Sequence, residues 1–131
     1  MNNQTAQVPA SPNPAIKCVH KLFELQVEKS PESIALVHGS ERITYSELNM
    51  MANRIADQLL SRGVGPEILV AIALKRSPDL IACILGVLKA GGAYLPLDPD
   101  YPRERLAMII EDARPPIMLT KSTFPKRIPG E

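Results

Sequence analysis

Leu88-Lys89-Ala90-Gly91-Gly92-Ala93-Tyr94-Leu95-Pro96-Leu97-Asp98-Pro99 reads as the end of a helix, a double-glycine turn and a short apolar strand. Lys89 sits where a cation suits the negative end of a helix dipole. Gly91 is placed for the left-handed position that closes a helix, and Gly92 lets the chain reverse with no Cβ in the way. Ala93 to Leu97 is then extended. Pro96 cannot donate to a sheet ladder, so it faces an edge or ends the strand. Asp98 is suited to bonding backbone groups in the turn that follows.

The stretches on either side continue the pattern. Upstream, Ser77 and Pro78 mark a helix start, as N-cap and first helical residue, with Asp79 at the positive end of the dipole. Leu80 to Leu88 is apolar on nearly every side, which predicts a helix buried on most faces. Before it, Ile68 to Leu74 is a continuous apolar strand of the kind covered on both faces. The basic pair Lys75-Arg76 at its carboxyl end is placed to meet an anion or to form a solvated turn. With no glycine-rich cradle beside it, the turn is the reading adopted. Downstream, a helix from about Pro102 carries Leu106, Ile109, Ile110 and Ala113 on one face. Glu111 and Asp112 near its end oppose the dipole. Pro115-Pro116 stops it, and Ile117 to Thr120 reads as a strand.

The N-terminal half is equally punctuated. Residues 1–17 are rich in Asn, Gln, Pro, Ser and Ala and read as a disordered tail or linker. Cys18 to Lys29 is a helix with Val19, Leu22 and Phe23 on one face, ended by Ser30-Pro31. His20 reads as an exposed surface residue. Ile34 to His38 and Arg42 to Tyr45 form a hairpin through Gly39-Ser40, a pair suited to a type II′ turn, with His38 facing solvent. Thr44 and Glu47 form a capping box. Leu48, Ala52, Ile55 and Leu59 follow as one apolar stripe, and Gly63 closes that helix. Residues 122–131 read as a frayed end. The later alternation of strand and helix implies parallel strands joined by right-handed crossovers, an α/β layer.

Bulk properties exclude several functions. A net charge of +1 gives no general attraction to nucleic acid or to an anionic membrane. Trp is absent and aromatics make up 4%, against a base-stacking surface. No stretch approaches the ~20 apolar residues that span a bilayer, and the N-terminus is not a signal peptide. The two cysteines, Cys18 and Cys83, match no zinc spacing and suggest no disulfide framework, which fits a reducing cytoplasm. Cys83 reads as a small buried hydrophobe. There is no phosphate loop of the Gly-x-x-x-x-Gly-Lys-Ser/Thr type, no Gly-x-Ser-x-Gly elbow and no His-Glu-x-x-His. Asp98 and Asp100 alone make a poor metal site.

Lys89-Ala90-Gly91-Gly92-Ala93-Tyr94-Leu95-Pro96-Leu97-Asp98, with Tyr101-Pro102 and Glu104-Arg105-Leu106 after it, resembles the second core motif of the amino-acid adenylation domains of nonribosomal peptide synthetases. Ile43-Thr44-Tyr45-Ser46-Glu47-Leu48 resembles their first core motif, at a fitting distance upstream. Val19 to Glu24 resembles the usual start of such a domain. The resemblance covers roughly Cys18 to Thr120. It implies the N-terminal portion of the large subdomain of an adenylate-forming enzyme: layered βαβ units with a β-hairpin, incomplete as a domain, over residues 18–121.

Such domains join ATP, with magnesium, to an amino acid, release pyrophosphate, and pass the acyl group to the phosphopantetheine thiol of a carrier protein. The resemblance further implies that the phosphate loop, the amino-acid pocket, the ribose-binding aspartate and a late catalytic lysine lie downstream of this chain. No catalytic, cofactor-binding or metal residue is therefore assigned within it. Thr44, Tyr45, Glu47, Leu48, Lys89, Ala90, Gly91, Gly92, Tyr94, Pro96, Leu97 and Asp98 match motif positions that read as architectural. The expected partners are the rest of the adenylation domain and a carrier domain, and the chain alone is expected to be inactive. The alternative is a free-standing α/β interaction module that kept the scaffold without the chemistry. An incomplete domain predicts open sheet edges and an uncovered apolar face.

Overall fold

The computed structural model describes residues 19–121. The expectations for residues 1–17, for Cys18 as a helix start and for 122–131 lie outside the described residues.

The chain begins with α1 (Val19–Lys29), followed by strands β1 (Ile34–His38) and β2 (Glu41–Thr44) and by α2 (Tyr45–Ser61). Then come β3 (Leu69–Ala73), α3 (Pro78–Lys89), β4 (Ala93–Pro96), α4 (Arg103–Ala113) and β5 (Ile117–Thr120). This is the order of elements that the sequence implies. β1 and β2 pair antiparallel, with His38 opposite Glu41. Gly39 between them takes φ 63° while Ser40 is not left-handed, the combination that a type II′ turn needs. β3 is the centre of a three-stranded sheet of order β4-β3-β5, parallel to both neighbours. Val70, Ala71 and Ile72 of β3 are each fully buried, as a continuous apolar strand requires. The crossover from β3 to β4 and the next one, from β4 back across β3 to β5, run in opposite directions, so right-handed connections place α3 and α4 on opposite faces.

Local chemistry sets the helix ends. The Glu47 backbone N–H donates to Thr44 Oγ1 at 3.1 Å, and the Thr44 N–H donates to Glu47 Oε1 at 2.9 Å, closing the capping box. Ser77 is the N-cap of α3, with Pro78 at its first turn. Both α2 and α3 end in the same double turn. Gly63 N–H bonds Leu60 O and Val64 N–H bonds Leu59 O, while Gly91 N–H bonds Leu88 O and Gly92 N–H bonds Val87 O, all at 3.0 Å. Gly63 and Gly91 take φ 91° and 88°, the left-handed conformation of a Schellman motif.

The core lies between α2, α3 and the sheet. Leu59, Ile72, Val70, Val87 and Cys83 are its largest fully buried side chains, each of the aliphatic ones stabilising by about 1.5–3 kcal/mol. The stripe Leu48, Ala52, Ile55 and Leu59 of α2 is buried throughout. α4 covers its face thinly. Leu106, Ile109, Ile110 and Ala113 turn inward but are only half-buried, and an open groove of about 680 Å³ runs between Leu95, Met108, Ile109 and Ala113. Arg114 closes α4 in the left-handed conformation, at φ 50°. Its Nε donates to Glu111 O at 3.3 Å, a cation at the helix end that offsets Glu111 and Asp112. Among the described residues the outer edges of β4 and β5 are unpaired.

α1 departs from the expectation. Val19 and Leu22 are 61% and 47% exposed, and the inward side carries His20, Phe23, Glu24 and Val27. His20 is half-buried, not a surface residue. The helix has apolar residues on more than one side, and the side that wins is the one that brings Glu24 to Lys89 of α3.

Candidate functional site

The motif-like stretches meet at the junction of α1, α2 and α3. Tyr45, the first residue of α2, stacks at a tilt on Phe23 of α1 with ring centroids 5.9 Å apart. Lys89, in the last turn of α3, lies 6.0 Å from the centre of the same Phe23 ring and donates to Glu24 Oε2 at 2.5 Å. The Lys89 side chain is only 8% exposed. Its hydrogen bond holds the Glu24 carboxyl below the usual range. Burial likewise holds His20 below its ordinary value, and His20 Nδ1 is buried without a hydrogen-bond partner. Sequence placed Lys89 at the helix dipole. The ion pair, 65 positions away in the chain, carried no local signal.

Leu48, Ala90 and Leu97 are buried. A Cβ on Gly92 would stand 2.8 Å from Val64 Cγ1 and 3.0 Å from Ile68 O, so the residue is glycine because two segments converge on it. Ala93 N–H then bonds Ile68 O at 3.0 Å, delivering the chain into β4 beside β3. Tyr94 and Pro96 lie exposed on the edge strand, with Pro96 its last residue. Asp98 Oδ1 accepts from Asp100 N–H at 2.9 Å and Asp98 O from Tyr101 N–H at 3.0 Å, an Asx-type turn. Arg105 then lies 4.7 Å from the centre of the Tyr101 ring.

A groove of about 760 Å³ opens at the carboxyl end of β3 and beyond β5, where Lys75, Arg76, Ser77, Asp79 and Lys121 meet His38 and Glu41 of the hairpin. This is where strand order reverses, the usual place for a ligand crevice in an α/β sheet. Its charges are mixed. Lys75 Nζ lies 3.6 Å from Asp100 Oδ1, with both side chains 70% exposed, so the basic pair is a solvated turn. Burial, and then the charge of Glu41, raise the Asp79 carboxyl against the pull of Lys121. The sequence did not reveal this groove, because its walls come from segments far apart in the chain.

The glycine pair does not fit a nucleotide phosphate. The N–H groups of the glycine pair are spent on Leu88 O and Val87 O at a helix C-terminus, whereas a phosphate cradle needs free N–H groups at a helix start. At the start of α3, Leu80 N–H is taken by Ser77 Oγ at 3.3 Å. Among the described residues, no three His, Cys, Asp or Glu side chains are grouped to hold a metal, and no helix is long and apolar enough to cross a membrane.

The profile of the AMP-binding enzyme family matches residues 23–129. Tyrocidine synthase 3 of Brevibacillus parabrevis is 50% identical over 106 residues, covering 81% of this chain. Malpinin synthetase of Mortierella alpina is 48% identical over 121 residues, covering 92%. The chain spans about 2% of the length of each. Among solved structures, FmoA3, a nonribosomal peptide synthetase in an AMPPNP-bound form, superposes with a TM-score of 0.80 at 38% identity, over 92% of this chain and 13% of its own. The N-terminal subdomain of Klebsiella oxytoca NpsA shares the fold, with a TM-score of 0.73 at 24% identity, over 79% of this chain and 27% of its own.

Proposed function

We propose that this chain, which belongs to the AMP-binding enzyme family, is the opening scaffold of a nonribosomal peptide synthetase adenylation domain. The parent protein activates an amino acid with ATP and magnesium to the aminoacyl-adenylate. It then loads that acyl group as a thioester on the phosphopantetheine of a carrier domain, in the cytoplasm, toward a secondary metabolite. The observation that carries this reading is the identity of about half of all positions to peptide synthetases along most of the chain, with both motif-like stretches folded into one junction.

In this reading the chain's own residues do no chemistry. Thr44 and Glu47 start α2, Lys89 ties α3 to α1, and the glycine pair with Asp98 sets β4 and the turn after it. The phosphate loop, substrate pocket and catalytic lysine belong to later parts of the parent. The open edges of β4 and β5 support the view that further strands of that domain complete the sheet.

The test is ATP–pyrophosphate exchange by the full-length parent against a panel of amino acids. Exchange that depends on one or a few amino acids is expected, with none from residues 1–131 alone. Exchange with aryl or fatty acids only, followed by transfer to coenzyme A, assigns the parent to the acyl-CoA ligases and overturns the reading. Exchange by the isolated chain overturns the assignment of its residues to scaffold.

A further inference from the structure

α1, like α4, is only lightly packed on the fold. None of its 11 residues is buried, and Val19, Leu22 and Leu25 are 61%, 47% and 59% exposed. A helix of this length is marginal in water by itself, so α1 is helical while docked and unfolds when released. What docks it is concentrated at one point. Lys89 extends from α3 to Glu24, and its ammonium lies over the ring of Phe23. Phe23 in turn touches Tyr45 of α2. With its side chain 8% exposed, Lys89 is largely withdrawn from water, and a buried charge that loses its partner is strongly destabilising.

We propose that α1 is an acid-released latch, docked on the α2–α3 pair by the Lys89–Glu24 ion pair and leaving as a unit, with β3 and α3 intact, when that pair is broken. Glu24 faces Lys89 of α3, and Lys21 and His20 of its own helix. His20 faces Lys89 of α3, with Glu24 and Lys21 beside it on α1. α2 contributes the uncharged Tyr45 ring. Docking therefore requires a charged Glu24 and favours a neutral His20. Both groups take up protons more readily once α1 is released. The docked state is fully present above the ordinary His value of 6.5, weakens below it, and is lost as pH falls through the docked value of Glu24, which lies under 4.5. The inference concerns this junction alone and stands whatever the parent protein activates.

Hydrogen exchange of the full-length protein, read by mass spectrometry as protection factors from about pH 7.5 down to about pH 3, tests it. The expected result is at least a tenfold loss of protection in peptides from 19–29, while peptides from 69–73 and 78–89 change by less than about threefold. Glu24→Gln is expected to lower protection of 19–29 by a similar factor already at neutral pH, with 78–89 unchanged. Protection of 19–29 that is constant over the pH range overturns the latch. So does protection that falls only together with 78–89, and so does a wild-type pattern in Glu24→Gln. If the variant does not fold, the wild-type pH series decides by itself.

Discussion

Gly86 of α3 and Ile55 of α2 meet so closely that a Cβ on Gly86 would stand 2.6 Å from Ile55 Cγ2 and 2.8 Å from Ile55 Cβ. The backbone carbonyl of Ala52 would be 3.1 Å away. A methyl cannot fit there unless the two helices separate. Gly86→Ala would gain helix propensity, about 1 kcal/mol in an open helix, but overpacking a core costs about 1–3 kcal/mol. We expect a net loss of stability in urea unfolding. In a double-mutant cycle Ile55→Ala relieves part of it, because the two positions are in contact. Strictly additive effects of the two substitutions would show that the helices do not meet at this pair.

Glu67 has φ 69° in the turn Gly65-Pro66-Glu67-Ile68, closed by Ile68 N–H to Gly65 O at 3.1 Å. Pro at the second position and a left-handed third residue make this a type II turn, whose third position favours Gly or Asn. A side chain there costs about 1–2 kcal/mol. Glu67→Gly is expected to stabilise by up to about 1 kcal/mol after the extra freedom of the unfolded chain is subtracted. Glu67→Val should be less stable than wild type, being β-branched. Denaturation midpoints check the order Gly above Glu above Val, and a Val variant as stable as the Gly one would refute the strain.

Burial pushes the Cys83 thiol up to about 12, with the negative charge of Asp79 adding to it. The reactive thiolate is therefore almost absent at neutral pH. We expect Cys83 to stay unmodified by iodoacetamide at about pH 8 in the native protein and to react once denaturant is added, as mass spectrometry of peptides 78–89 would report. The same shift sets an alkaline limit. Above the ordinary thiol value of 9.0 the unfolded chain loses a proton that the folded chain keeps, so stability falls as pH rises beyond it. Native labelling as fast as in denaturant would mean that the α2–α3 core opens readily.

How much of this was legible depends on distance along the chain. The capping box at Thr44 and Glu47, the glycine closures at Gly63 and Gly91, the Ser77-Pro78 start and the Asp98 turn are contacts within a few residues, and sequence carries them directly. The inner face of α1 was misread, because Val19, Leu22 and Leu25 give it an outer apolar side as plausible as Phe23 and Val27 give the inner one. Phe23 packing on Tyr45 and Glu24 pairing with Lys89, both contacts distant along the chain, decide between them. Gly86 passed as one residue of an apolar helix, although a glycine amid good helix formers signals close approach. The groove by Asp79 joins segments from His38 to Lys121, which no local pattern could bring together.

Asp79 shows two effects in opposition. In the first turn of α3 its charge suits the helix dipole, a gain of about 0.3–1 kcal/mol at an exposed site. Burial and the nearby Glu41 charge work the other way and raise its carboxyl above the ordinary value of 3.8, with Lys121 only partly offsetting them. The folded chain thus binds this proton more tightly than the unfolded one. Stability is greatest below the ordinary carboxylate value, falls as pH rises from 3.8 through the folded value, and stays reduced at neutral pH. Asp79→Asn removes the titration and keeps the shape. It is expected to raise the Tm at neutral pH, with the gap to wild type closing as the pH is lowered below the carboxylate range. An Asn variant that melts lower at neutral pH would show that the dipole and Lys121 outweigh burial, and that Asp79 supports the start of α3 as a charged group.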